Sequence, residues 1–343
     1  MLIFLFYPMR PTDHSHHSNF IKPPPYARTG VVLFVSILIA ISVIVLGLTA
    51  GALDLSEAVF WQLRLPRVLA SFGVGGLLAL AGLMLQVLLR NPLAEPYMLG
   101  AASGASFCVL LGMLMGGSWW LQQSLALFGA LVALGLMLWV LRRYSRLEGD
   151  VTVLLLLGIV LSALLNALVS GVLLVLPDRN VRSALFWMMG DLAGAGSHYV
   201  AWCSVWLILA LALGLARPMA VLMRGAVMAH SVGVDVTRLR WQLLLLAGLA
   251  TAVAVMEAGA IGFVGLLVPH MVKSLGGRFF GANMRLILPL CVLWGGILLV
   301  LADVVARLLF APTQLPVGLF TVLLGAPFLA WQLIIRARES GAV

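Results

Sequence analysis

The chain has 343 residues, of which 63% are hydrophobic and only 10% are charged, whereas roughly 25% of the residues of an average soluble domain are charged. A chain of this composition cannot cover itself with polar surface, which excludes an ordinary soluble enzyme or binding domain. The net charge of +9 does not indicate nucleic-acid binding, because the arginines stand singly or in short groups between apolar segments and are better explained by membrane topology.

Residues 1–30 precede the first apolar segment and include a run of three prolines at 23–25. Asp13 and three nearby histidines are potential metal ligands. Because these residues are proline-flanked and without a partner cluster, we expect a flexible cytoplasmic tail with no metal site. No small-residue cleavage site follows the apolar run 31–50, which therefore predicts a first membrane span and not a cleaved signal.

Apolar segments close to the 20 residues needed to cross a bilayer as helix recur along the whole chain. They predict an all-α polytopic membrane protein with ten spans, at about 31–50, 68–89, 98–115, 119–141, 151–176, 199–216, 241–256, 259–272, 286–310 and 317–335. One transmembrane domain is expected over 31–336, followed by a cytoplasmic tail at 337–343. The eighth span is short and contains Pro269, which is typical of a broken helix buried in protein or lining a cavity.

Basic residues are distributed unequally between the two sides of these spans. Both tails and the loops after even-numbered spans carry 16 of the 21 Lys and Arg residues. The positive-inside rule therefore places both termini and the segment 217–240 in the cytoplasm of a bacterial cell, with the chain in the inner membrane. Arg64, Arg67 and Arg307 then face outward, as do two arginines at 179 and 182.

Several function classes lack the residues that they need. No Gly-x-x-x-x-Gly-Lys-Ser/Thr loop is present, so energy from ATP would have to come from another subunit. Ionisable residues are scarce inside the spans, which argues against the alternative of an ion-coupled secondary transporter, and Asp303 has Arg307 one helical turn away as a partner. The dispersed histidines argue against a membrane-embedded enzyme, and the three cysteines lack the spacing of a metal or disulfide site.

Glu257 is the ionisable residue that these considerations leave open. It lies two residues before Gly259-Ala260-Ile261-Gly262, at the junction of the seventh span and the short eighth span. Its carboxylate would either accept hydrogen bonds from the free amides of that helix or line a translocation path near the outer mouth. Gly73 and Gly76 in the second span predict close helix packing, and they would also suit a helix that lines a wide path.

Seven short sequence blocks resemble those of a known family and occur in the same order along the chain. They are Arg64-Leu65-Pro66-Arg67, Asn91-Pro92-Leu93-Ala94-Glu95-Pro96, Phe186-Trp187-Met188-Met189-Gly190, the run from Gly259 to His270, Ala302-Asp303-Val304-Val305-Ala306-Arg307, Leu315-Pro316-Val317-Gly318 and Leu324-Gly325-Ala326-Pro327. Over about 270 residues the chain resembles the FecCD-type permeases, which include importer subunits for cobalamin, haem and ferric siderophores.

The resemblance implies the partners and the activity. We expect a homodimer of permeases around one central path, two cytoplasmic ATPase subunits that bind ATP and Mg, and an external substrate-binding protein. Transport of a metal chelate would proceed by alternating access, without any catalytic residue or cofactor on this chain. Ferric siderophore and cobalamin are the first candidates for the chelate, and haem is the next.

The resemblance also assigns roles to individual residues. Arg64, Arg67 and Arg307 match positions that pair with glutamates of the binding protein, although lipid-headgroup anchoring is an alternative. Thr152 lies near the cytoplasmic gate, with Gly73, Gly76 and Glu257 as further path candidates. The segment 217–240 matches the coupling helices that contact the ATPase, through Arg224, Gly225, Ala226, Ala229, His230 and Gly233. Ala226 and His230 replace an acidic residue and an arginine, so this contact is expected to depend more on packing than on ion pairs.

Overall fold

The computed structural model describes residues 25–51, 56–144, 151–193, 198–280, 283–309, 311 and 313–339. The predicted tail at 1–30 lies mostly outside this described part, and so does the end of the tail predicted at 337–343. Within the described ranges every regular element is helical, which confirms the predicted all-α fold.

Fourteen α-helices follow one another in the described part of the chain. They are α1 (Pro25–Thr49), α2 (Glu57–Val59), α3 (Leu65–Leu89), α4 (Ala101–Leu114), α5 (Trp119–Tyr144), α6 (Val151–Val175), α7 (Asp178–Met188), α8 (His198–Gly214), α9 (Ala216–Leu222), α10 (Ala226–Ser231), α11 (Val236–Ala258), α12 (Val264–Phe280), α13 (Met284–Leu308) and α14 (Val317–Glu339). A π-helical turn, Phe60–Arg64, joins α2 to α3, and a 3-10 turn, Pro96–Leu99, precedes α4.

Each of the ten predicted spans coincides with a helix. By length and hydropathy, α1, the continuous run from α2 to α3, α5, α6, α11 and α13 are each able to cross a membrane. The pair α8 and α9, bent by 63° at its break, adds a seventh candidate, and α4 and the apolar part of α14 are shorter. The prediction for the eighth span is wrong at its start, because residues 259–263 are not helical and α12 begins only at Val264.

Helix α3 lies at the centre of the bundle and is buried along almost its whole length. It packs against α8, α11, α12 and α13. Glycines allow these contacts, since a Cβ on Gly75 would collide with the backbone of Gly295, and one on Gly82 with the backbone of Gly265. In lipid the hydrophobic effect does not hold helices together, so such close backbone contacts are a main source of packing energy.

Candidate functional site

One end of the bundle carries the short helices α9 and α10. The chain bends after α8. Gly225 (φ 139°) is the N-cap of α10 and Gly233 (φ 82°) follows its C-cap, and both have backbone conformations that side-chain-bearing residues rarely adopt. Ala229, within α10, is buried. Asp235 caps the start of α11 by accepting a hydrogen bond from the Arg238 amide at 2.8 Å. Two short helices are thereby held firmly against the ends of the longer ones.

Part of the outer surface of α10 is apolar. Val227 is 85% exposed, and Met228 and Val232 are about half exposed. Of the residues that the sequence assigned here, Arg224, His230 and Gly233 are exposed, Gly225 and Ala226 are half-buried, and Ala229 is buried. The structure therefore brings the assigned residues together, but it adds three apolar side chains whose exposure the sequence did not indicate. We call Val227, Met228 and Val232 the α10 surface.

The opposite end of the bundle contains a buried ionic cluster. The Asp303 carboxylate, which has no exposed surface, lies 2.8 Å from Arg67 Nε and 3.0 Å from Arg307 Nε. The predicted pairing of Asp303 with Arg307 is confirmed, and Arg67 is a second partner that sequence spacing did not show. Arg67 also donates to Gln314 Oε1 at 2.7 Å, which ties the loop before α14 to α3.

Two arginines, Arg64 and Arg307, cap the last turn of α1. Arg64 Nη1 donates to the carbonyl oxygens of Leu48 and Thr49 at 3.0 and 2.6 Å, and Arg307 donates to those of Gly47 and Ala50 at 3.1 and 3.3 Å. The last carbonyls of a helix have no partner within the helix, and cations complement its dipole there. The arginines at 64, 67 and 307 are thus largely buried within this chain, and docking to a binding protein stays a prediction.

Three non-helical segments meet in the interior. Glu95 Oε1 accepts a hydrogen bond from the Phe263 amide at 2.7 Å, and the Tyr97 hydroxyl accepts one from the Ile261 amide. The Asp191 amide donates to the carbonyl of Ala258 at 3.0 Å. Irregular backbone at membrane depth is stable only where its polar groups find partners in the protein, and these side chains supply them for the break at 259–263.

Glu95 is the main ionisable group in this junction. Burial raises the pKa of the Glu95 carboxyl above its usual range, while the hydrogen bond from the Phe263 amide opposes the rise because it favours the charged form. Phe263 has a positive φ of 69°, an uncommon conformation for a residue with a side chain. The loop at 91–96 therefore acts as an internal support for the broken helix.

Glu257 lies in the wall of a cavity of about 420 Å³ near the ionic cluster. The cavity is lined by Met113, Trp119, Gln122, Gln123, Arg182, Ser183, Phe186, Trp187, Asp191, Glu257, Thr313 and Gln314. Arg182 places its guanidinium 5.6 Å from the centre of the Phe186 ring. Glu257 is only 2% exposed, and Glu95 and Tyr97 take two of the amides of the helix break. Both roles predicted for Glu257 stay predictions.

Helix α6 presents polar groups on its outer face. Asn166 and Ser170 are exposed in an otherwise apolar helix, one turn apart, and Ser170 Oγ donates to the Asn166 carbonyl at 3.0 Å. An amide side chain facing lipid hydrocarbon is unfavourable, so this face is suited to water or to another protein. Thr152 begins this same helix, but its side chain lies outside the described part.

Gly73 and Gly76 do not lie at an open surface. A Cβ on Gly73 would approach the backbone of Ala201 to 2.8 Å, and one on Gly76 would approach a methyl group of Val205 to 2.8 Å. Both glycines therefore allow α3 and α8 to pack closely, which is the simpler of the two roles predicted for them. Among the described residues, no group of three or more His, Cys, Asp and Glu side chains comes together as a metal site would require.

Comparison with known proteins shows the family to which the chain is related. Residues 27–335 match the model of the FecCD transport family. The chain is 38% identical to the hemin transport system permease protein HmuU of Yersinia pestis, over 92% of this chain and 97% of that protein. It is also 38% identical to the vitamin B12 import system permease protein BtuC of Salmonella arizonae, over 82% and 84% of the two chains.

A solved structure agrees with the fold. It is described as an inward-facing conformation of a metal-chelate type ABC transporter and superposes with a TM-score of 0.79. The two chains are 31% identical, and the match covers 89% of this chain and 99% of the other. The arrangement of helices described above is thus that of a transporter subunit.

Proposed function

The chain belongs to the FecCD transport family, and we propose that it is the membrane-spanning permease subunit of an ATP-driven importer that carries a metal chelate into the cytoplasm. Its similarity to permeases for hemin and vitamin B12 supports this class of cargo. Haem, cobalamin and ferric siderophores are therefore the candidate substrates. The hemin permease matches along almost the whole chain. Haem is therefore as well supported a candidate as ferric siderophore and cobalamin, which the sequence analysis put first.

The α10 surface is the observation that carries the proposal. An exposed apolar patch on a short helix at one end of a membrane protein is suited to fit into a cleft of a soluble partner. The distribution of basic residues supports a cytoplasmic location for this end, where an ATPase subunit would be available. Closure of two such subunits would pull on α9 and α10, and the bend after α8 would pass the movement to the spans.

The transport path would lie between two copies of the chain. Helix α3 is enclosed within the subunit, whereas α6 exposes Asn166 and Ser170, so a polar lining is provided by α6. The cavity beside Glu257 opens toward the end that faces the outside in this orientation. A loaded binding protein would release the chelate there, and the two subunits would open to each side of the membrane in turn.

The experiment is reconstitution in vesicles. Purified chain, its ATPase and its binding protein are assembled in proteoliposomes, and uptake of haem, cobalamin or a ferric siderophore is measured with and without ATP. We expect uptake only with ATP and the binding protein, and no ATP hydrolysis by this chain alone. Uptake that follows a proton or sodium gradient without ATP would favour the ion-coupled alternative and contradict the proposal.

A further inference from the structure

A second cavity lies at the end of the bundle that carries α9 and α10. Its volume is about 550 Å³, and it is lined by Gln86, Arg90, Pro92, Met223, His270, Lys273 and Ser274. Three of these seven residues are basic and none is acidic. The lining comes from α3, α12 and the end of α9, so the cavity is built by segments distant in sequence. We call it the basic cavity.

Lys273 is held in the wall by a neutral partner. Its Nζ donates to Gln86 Oε1 at 3.1 Å, and Gln86, itself 4% exposed, donates to the carbonyl oxygens of Gly265 and Leu266 at 3.4 and 3.3 Å. These bonds fix the amide so that its oxygen faces the ammonium group. Because the amide carries no charge, the positive charge of Lys273 remains available to an anion in the cavity.

Further positive charge converges on the same place. Arg90 ends α3 in the left-handed conformation with φ 50° and is exposed at the cavity rim, and buried Arg240 on α11 is near enough to interact with it electrostatically. The carbonyl end of α3 contributes only about half a negative charge. Half a charge is less than the full charge that Arg90 carries at the cavity rim.

We propose that the basic cavity binds the phosphate of an anionic phospholipid headgroup from the cytoplasmic leaflet. The choice of leaflet rests on the orientation in the proposed function. Basic pockets between spans on this side of a membrane suit such headgroups, and both Arg90 and Lys273 lie at span ends, where headgroups are within reach. Met223, at the end of α9, forms part of the wall, so a bound headgroup contacts the segment that joins the spans to the α10 surface.

Native mass spectrometry of the purified full-length chain tests the proposal. The protein is titrated with phosphatidylglycerol, with phosphatidylcholine of the same acyl chains, and with inorganic phosphate as competitor. The variant Arg90→Asn/Lys273→Gln removes two cations of the cavity, and Asn retains the tolerance for a positive φ at position 90. The control Arg142→Gln/Arg285→Gln removes two exposed cations at the same end of the bundle, so both variants have equal net charge.

We expect the unmodified chain and the control to bind phosphatidylglycerol more tightly than phosphatidylcholine. At an anionic membrane surface each cation contributes about fivefold to binding. With the same contribution toward one anionic headgroup in detergent, the cavity variant should bind about thirtyfold more weakly. Lys273→Arg, which retains the charge, should restore most of the binding lost in Lys273→Gln. This conservative pair also shows whether a loss comes from misfolding.

Three results would overturn the proposal: equal binding of the two lipids, equal losses in the two double variants, or no loss in the cavity variant. If inorganic phosphate binds through the same two residues while phosphatidylglycerol shows no preference, phosphate recognition stands and the lipid source is overturned. Because the titration is done in detergent, its outcome does not depend on orientation or on transport. Failure here is therefore distinguishable from failure of the proposed function.

Discussion

Replacing Asp303 by Asn tests the ionic cluster at the end of the bundle opposite α10. The Asp303 carboxylate is fully buried and lies 2.8 and 3.0 Å from Arg67 and Arg307. Removing one partner of a buried ion pair costs about 3–5 kcal/mol, because the remaining charge stays buried without compensation. Since Arg67 retains 11% exposure of its side chain, we expect about 3 kcal/mol, the lower end of that range.

The free energy of unfolding is measured by titrating the purified protein with sodium dodecyl sulfate in mixed micelles and following helicity. Asp178→Asn is the matched control, because Asp178 is exposed in the first turn of α7 and its interaction with the helix dipole contributes only about 0.3–1 kcal/mol. Equal losses in the two variants would refute the reasoning that Asp303 holds a buried cluster together.

Arg64→Gln then separates a structural role from a docking role. Arg64 bonds two carbonyl oxygens of the last turn of α1, so its replacement should lower stability by about 1–3 kcal/mol. A variant of unchanged stability that binds the binding protein more weakly would instead favour docking as the main role of this arginine.

Three further predictions concern the interior and the α10 surface. Glu95→Ala should lower the free energy of unfolding by about 1–3 kcal/mol in the same titration, because the Phe263 amide loses its acceptor. Glu95→Gln retains an oxygen that accepts this hydrogen bond, so it should cost less. Equal costs of the two variants would contradict this reasoning. Val227→Asp should weaken co-purification of the ATPase subunit at least about tenfold without loss of stability, and unchanged assembly would exclude the α10 surface as the contact. Gly82→Ala should cost about 1–3 kcal/mol because its Cβ meets the α12 backbone, while Gly135→Ala, which faces open space, should be neutral or stabilising by up to about 1 kcal/mol.

Hydropathy and charge were sufficient to predict the long helices, because each span must satisfy its own backbone and bury its own apolar surface in lipid. The same reasoning failed at 259–263, where the amides are satisfied by Glu95 and Tyr97. Those two residues lie more than 160 positions earlier in the chain. A pairing over that distance leaves no local pattern in the sequence, so the break was placed in a helix and its support was missed.

The site residues show the same division. The glycines on either side of α10 were recognisable, because positive φ angles favour glycine at helix ends. The exposure of Val227 was not, since an apolar residue in a short helix is as readily buried as exposed. Likewise, Asp303 and Arg307 could be paired from helical spacing, whereas Arg67 joins them from another helix.

Accessibility of the α10 surface to each side of the membrane tests the central claim most directly. In a background in which the three native cysteines are replaced, Val227→Cys on α10 and Met115→Cys after α4, both at least 80% exposed, are treated on intact cells with a membrane-impermeant thiol reagent. The account predicts labelling of Met115→Cys on intact cells and of Val227→Cys only after permeabilisation. Labelling of Val227→Cys on intact cells would place the α10 surface outside, beyond the reach of any cytoplasmic ATPase, and would contradict the account.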